Sequence, residues 1–170
     1  MLLLDRQGAK EDSFARVENG EKIAGKSPLV SFADLSAELA AQTNAPLGVH
    51  VANTVKAAEL EPLFGRLALI AVAFPSATDG RGFSLARQLR QRGFTGILRA
   101  SGPLFSDQFP QVLACGFDEV EIPDANAARH PAEHWLAARD RISLAYQRGY
   151  GAGANILERR RAPNAGAKNV

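Results

Sequence analysis

Apolar residues in this chain fall into short runs separated by longer stretches of helical periodicity. Leu29–Phe32, Leu47–Val51, Leu67–Phe74, Gly96–Ala100 and Val120–Ile122 are the runs, each of a length that suits one strand. Leu67–Phe74 is apolar almost throughout, the pattern of a strand buried on both faces. Between the runs the spacing predicts helices over Ala33–Ala41, from Thr54 to about Phe64, and from Gly82 to Gln91. A further helix ends at Cys115-Gly116, and another runs from Pro131 to about Tyr146, with Gly93 and Gly116 at stop positions.

Strands joined by helices cross over right-handed into a parallel sheet, so the expected class is α/β, an open, mostly parallel sheet of about five βα units. Five units are too few to close an eight-stranded barrel. An open, doubly wound sheet is the first expectation and a half-barrel the alternative. Residues 2–17 predict a small N-terminal β-hairpin turning at Gln7-Gly8, followed by a loop to residue 27. Residues 1–148 then form a single domain and residues 149–170 a flexible basic tail. Function in such a sheet belongs at the carboxyl ends of its strands, here Phe74–Gly82, Arg99–Leu104 and Pro123–Asn126.

Composition narrows the classes. Of 170 residues, 46% are hydrophobic and 22% charged, the balance of a globular chain. No apolar run approaches the ~20 residues of a membrane span. The opening Met1-Leu2-Leu3-Leu4 is cut off by Asp5, too soon for a signal-peptide core, so the expected compartment is the cytoplasm. The single cysteine, Cys115, excludes an internal disulfide and, within one chain, a Cys-ligated cluster or Cys-rich zinc site; no metal site is expected. The net charge of +2 combines +3 in residues 158–170 with −1 in residues 1–157, so the folded body is not a nucleic-acid binder by charge.

The stretch Phe74–Ser84 leaves the most buried strand, turns through Gly80 and Gly82, and opens a helix. Free N–H groups at that helix start, with Asp79, Gly80, Arg81 and Gly82 around them, make an expected anion site, and Arg99 at the next strand would face the same crevice. Residues 76–101 hold five arginines against Asp79 alone, a setting for an oxyanion or a nucleotide phosphate. The competing reading makes Asp79-Gly80 a turn and pairs the arginines with carboxylates such as Asp107 or Asp124. Asp107 and Gln108 sit at the next strand–helix junction, either at the crevice mouth or as caps.

Gly80-Arg81-Gly82 also follows a strand and precedes a helix, as in a dinucleotide fingerprint, and Arg99 in the ribose-reading place would favour NADP. Leu85 stands where the third small residue belongs. His130-Pro131-Ala132-Glu133-His134 has the form of an inverted zinc-protease pattern, but Pro131 fits best at a helix start, leaving His130 outside. Cys115 in the last turn of its helix reads as a buried, inert thiol, and His50 as a hydrogen-bonded structural histidine.

From Leu67 to Tyr146 the chain resembles a bacterial family of unknown function that carries the label of an oxidoreductase of sulfite reduction. The residues that match are Phe74-Pro75, Thr78-Asp79-Gly80-Arg81-Gly82-Phe83-Ser84, Ala86-Arg87, Leu89-Arg90, Gly93-Phe94, Gly96, Leu98-Arg99-Ala100, Gly102, Asp107-Gln108 and Cys115-Gly116-Phe117-Asp118. Ile97, Ala114 and Ala77 depart from the pattern, where an acid, an arginine and an aromatic are usual. The resemblance implies a setting beside sulfite reductase and sulfate activation. The favoured expectation is an accessory or partner protein of assimilatory sulfite reduction that holds an oxyanion or docks on the reductase. The alternative is an NADP-dependent oxidoreductase. Bare sheet edges leave self-association open.

Overall fold

The structure, a computed structural model, describes residues 1–17, 24–37 and 46–139. Among the described residues there are seven strands: β1 (Leu2–Asp5), β2 (Phe14–Arg16), β3 (Ser27–Ser31), β4 (Leu47–Val51), β5 (Leu67–Ala73), β6 (Ile97–Ser101) and β7 (Glu119–Ile122). Helix α1 (Ala57–Leu60) runs into a 3-10 turn over Glu61–Arg66. It is followed by α2 (Arg81–Gln91), α3 (Phe109–Ala114, entered through a 3-10 turn at Ser106–Gln108), α4 (Asp124–Ala127) and α5 (Ala132–Arg139). The expected strands from Leu47 onward fall within a residue or so of the observed ones. Parts of the predicted helices at Ala33–Ala41 and Pro131–Tyr146, and the whole basic tail, lie outside the described residues.

The sheet has the order β1-β7-β6-β5-β4-β3-β2, parallel except for β1, which runs antiparallel to β7. This corrects the N-terminal hairpin. β1 and β2 do not pair; they occupy opposite edges of the sheet, and only a single bridge, Leu4 to Ala9, marks a local turn-back. The reason is reach. Eight residues separate Asp5 from Phe14, enough to span about 25 Å and carry the chain from one edge to the other. The strand count also exceeds the expectation, because β1 and β2 both join the main sheet.

The sheet is strongly curled. β2 and β7 are five strand spacings apart, about 24 Å in a flat sheet. Even so, Nη2 of Arg16 on β2 lies 2.9 Å from Oε2 of Glu121 on β7. Alternate residues along each strand therefore face either a convex or a concave side. Val49, Val51, Ile70, Val72, Leu98 and Val120 point to the convex side, in one buried cluster with Leu60, Leu85, Leu89, Phe109 and Trp135 from the helices. Phe14, Leu29, Leu69 and Ala71 point to the other side in a separate, smaller cluster that holds no helical residue. The expected double winding is thus corrected: the described helices pack on one face. β5 remains buried on both faces, as its unbroken apolar run predicted, because the curl itself covers the concave side.

At β6, the chain leaves the sheet against β5. Phe74 N–H donates to the Ser101 carbonyl at 2.7 Å, and Gly102 N–H donates to the Glu121 carbonyl at 3.0 Å. Gly102 has φ +148°, and a Cβ there would stand 2.1 Å from the Phe74 carbonyl oxygen. Only glycine fits such an approach.

Candidate functional site

The concave face carries the chemistry. Its amino-terminal layer is apolar: Phe14, Leu29 and Leu69, with Ile97 against them, and Gly48 leaving the room that Phe14 and Leu29 fill. The next layer is ionic. Arg99, in the middle of β6, is 1% exposed and lies opposite Glu119 of β7 in register. Its Nε donates to Glu119 Oε1 at 2.7 Å, and its Nη1 and Nη2 each donate to Asp12 at 2.7 Å. Glu121 Oε2 stands 3.9 Å from Nη1. Lys10 Nζ donates to Glu119 Oε2 at 2.9 Å and lies 3.8 Å from Asp5. Arg16 Nη2 donates to both oxygens of Glu121 and to Ser101 Oγ at 3.1 Å.

The electrostatics follow from this packing. Burial works against the Arg99 charge, but the hydrogen bonds and fields of Asp12 and Glu119 more than offset it and raise its pKa. Burial likewise opposes the Asp12 carboxylate, yet its bonds from Arg99 and from Phe14 N–H hold its pKa below the usual value. Lys10 is shifted upward, chiefly by its bond to Glu119. His50, half-buried between Ser31 and Ala71 in register, has its pKa lowered by burial first and by Arg16 second, with Glu121 opposing. It is therefore a neutral imidazole at physiological pH.

Glu121, Ser101, His50, Ser31 and Arg16 lie at or next to the last residues of their strands, so the carboxyl end of the curled sheet is a polar mouth. Asn53, just beyond β4, is buried, and its amide nitrogen makes no hydrogen bond of ordinary geometry, although it lies against the Asp79 carboxylate. Little in the sequence pointed to Lys10, Asp12, Arg16, Glu119 or Glu121. One signal was present: Glu119-Val120-Glu121-Ile122 alternates charge and apolar residues with period two, as a strand does when its second face is not covered by helices.

Of the candidate binding residues singled out in sequence, Arg99 lies on this face and the others lie at the helix starts. Exposed Arg81 and part-buried Asp79 form a pair at the start of α2, Arg81 Nη2 to Asp79 Oδ2 at 2.6 Å and Nε to Oδ1 at 2.9 Å. Asp79 Oδ1 also accepts the Arg81 N–H at 3.2 Å, so a carboxylate of the protein already sits at that helix start. Arg81, and to a lesser degree Asn53, hold the Asp79 pKa well below the carboxylate range. Gly80 precedes the helix. Gly82 lies under Phe74, whose ring would meet a Cβ at 2.4 Å. Gln108 donates to the Ala77 carbonyl at 2.8 Å and accepts the Phe105 N–H, tying the two junction loops together. Asp107 lines a separate cavity of about 300 Å³ with Ser106, His130 and His134.

The five arginines of residues 76–101 do not share one surface. Arg90 donates to the carbonyls of Gly116, Phe94 and Gly96 and pairs with Asp118, joining α2 to the entrance of β6 and β7. Arg92 pairs with Glu61. Arg87 Nη2 lies 3.6 Å from Cys115 Sγ, beside a groove of about 360 Å³ between α2 and α3. The Cys115 thiol is buried, and desolvation pushes its pKa up despite Arg87. His130 Nδ1 is 3.2 Å from Ser106 Oγ, and its ring stands 6.5 Å from that of His134. Among the described residues, no three His, Cys, Asp or Glu side chains are grouped to hold a metal ion. No helix there is long and apolar enough to cross a membrane.

A curled, mostly parallel sheet with helices on one face and an ionic network on the other defines a one-sided α/β protein. The chain belongs to a family of bacterial proteins of unknown function (DUF934), whose profile matches residues 48–156. The match begins in β4 and takes in Arg99, Ser101, Glu119 and Glu121, whereas Lys10, Asp12 and Arg16 precede it. No curated protein matches the chain.

Proposed function

We propose that this protein is an accessory protein of assimilatory sulfite reduction that holds a small oxyanion at the carboxyl edge of its sheet. The observation that carries the binding reading is the mouth of the concave face. There the part-exposed Arg16 guanidinium, paired with Glu121, stands beside the Ser101 hydroxyl and the neutral imidazole of His50. A guanidinium and neutral donors at the ends of parallel strands suit an anion. The sulfite-reducing setting rests on the resemblance of Leu67–Tyr146 set out above. Sulfite reductase is the partner that this setting suggests.

The alternative, an NADP-linked reductase acting through Gly80–Gly82, has less behind it. Gly82 is small because Phe74 lies against it, and the Asp79 carboxylate occupies the helix start where a pyrophosphate would sit. The test is a thermal-shift titration of the full chain with sulfite, sulfate, phosphate and NADPH. A ligand at a hundred times its Kd adds about 2.7 kcal/mol, which is readily seen. Stabilisation by sulfite or sulfate that disappears in Arg16→Ala is the expected result. Stabilisation by NADPH alone, lost in Arg81→Ala, would overturn the proposal in favour of the reductase.

A further inference from the structure

We infer that Arg99 is a latent receptor for a small oxyanion and that Asp12 occupies it as an internal stand-in. The inference rests on the reading that anions bind on the concave face, and it adds the residue that competes with them. Asp12 presents its two oxygens to Nη1 and Nη2 of Arg99, both at 2.7 Å. A guanidinium uses this same two-pronged arrangement to take up a carboxylate, sulfite, sulfate or phosphate.

Three features make Asp12 the displaceable member. Glu119 and Glu121, the other carboxylates near Arg99, are fixed on β7, whereas Asp12 lies in the irregular segment that crosses from β1 to β2. The Asp12 side chain is 28% exposed and that of Arg99 1%, so solvent meets the pair from the Asp12 side. Exchange also conserves charge. When a monoanion enters as Asp12 leaves, Lys10, Arg16 and Arg99 still face Asp5, Glu119, Glu121 and one further negative group, and no buried charge loses its partner. Asp12 Oδ1 accepts the Phe14 N–H at 2.9 Å as well. Its departure would therefore be felt at β2, whose Arg16 reaches across to Ser101 and Glu121. Anion occupancy at Arg99 is in this way coupled to the seating of the N-terminal edge strand.

The test is isothermal titration of the full chain with sulfite and with formate, at fixed ionic strength. Asp12→Ala is expected to bind at least about tenfold more tightly than wild type, because removing an internal competitor raises the fraction of receptive molecules. Asp12→Asn keeps the volume and the bond from Phe14, and it should show a gain in the same direction if the alanine variant does not fold. Glu133→Ala, which removes an exposed carboxylate on α5, should show none. Asp12 variants that bind no more tightly than wild type, or gain no more than Glu133→Ala, would overturn the inference. Wild-type binding lost in Arg16→Ala without any gain in the Asp12 variants would overturn it too, while leaving the proposed function standing. A gain in the Asp12 variants that survives Arg16→Ala would support it even where the mouth site fails.

Discussion

Arg99→Met removes the charge at the centre of the concave face while keeping most of the side chain's volume, so the loss is electrostatic and not a cavity. Three carboxylates lie around the guanidinium: Asp12 and Glu119 at 2.7 Å and Glu121 at 3.9 Å. Breaking a buried pair by deleting one partner costs about 3–5 kcal/mol, because the remaining charge is left uncompensated. Here Lys10 stays with Glu119 and Arg16 with Glu121, which places the expected loss near the lower bound, about 3 kcal/mol. That is a large share of the 5–15 kcal/mol of an ordinary domain. With an m-value of roughly 2 kcal/mol/M in urea, the midpoint should fall by about 1.5 M.

The pH dependence of that loss gives a second check. Arg99 lowers the folded-state pKa of Asp12 below its unfolded value. The stabilisation is therefore complete above the unfolded pKa and is lost as pH falls through the folded one. Wild type loses this contribution on acidification and the variant has none to lose, so the gap between them should narrow from pH 7 toward pH 3. A midpoint shift below about 0.5 M, or a gap that widens at low pH, would refute the account of the network as a set of mutually dependent buried charges.

Two further outcomes follow from the same geometry. Gly102→Ala should cost more than about 2 kcal/mol by chemical denaturation, since the strained backbone and the Phe74 carbonyl at 2.1 Å leave a methyl no room. Gly65→Ala, where nothing lies within 4 Å, should be neutral. The His50 ring should titrate below 6.5 by NMR, and Arg16→Ala should move it back upward, because burial and then Arg16 lower it. An unchanged His50 titration in that variant would mean that the guanidinium does not face the ring.

The sequence made the parallel core legible because each of its strands is a separate apolar run with a helix behind it. Leu47–Val51 is the clearest case, expected and found over the same five residues. The start of α2 at Arg81 and the stop after α3 at Gly116 were readable from glycine and the helical period. The curl was not readable. Nothing in the local pattern of Phe14-Ala15-Arg16 says that its neighbours are β3 and, through side chains alone, β7; that pairing is set by the eight residues before it and by polar partners 85 to 109 positions away. For the same reason the five arginines looked like one basic surface. Their partners Glu61, Asp118, Glu119 and Asp12 lie on other elements, which a linear charge count cannot see.

The cost of the concave network is itself an argument about function. Well-packed apolar side chains of similar volume are often as stabilising as a buried ion cluster, or more so. The same face shows that they fit, since Phe14, Leu29 and Leu69 fill its amino-terminal layer. Stability alone therefore does not explain why the layer above them is built from Lys10, Asp12, Arg99 and Glu119, with Arg16 and Glu121 at the mouth. Two other consequences of charge do. Directional bonds hold the curl, because Arg16 on β2 meets Ser101 on β6 and Glu121 on β7. On the proposed anion-binding reading, paired charges also let an arriving anion exchange for an existing partner instead of entering an apolar cavity. The second consequence falls on the crossing chain that carries Lys10 and Asp12, the part of the cluster outside a strand.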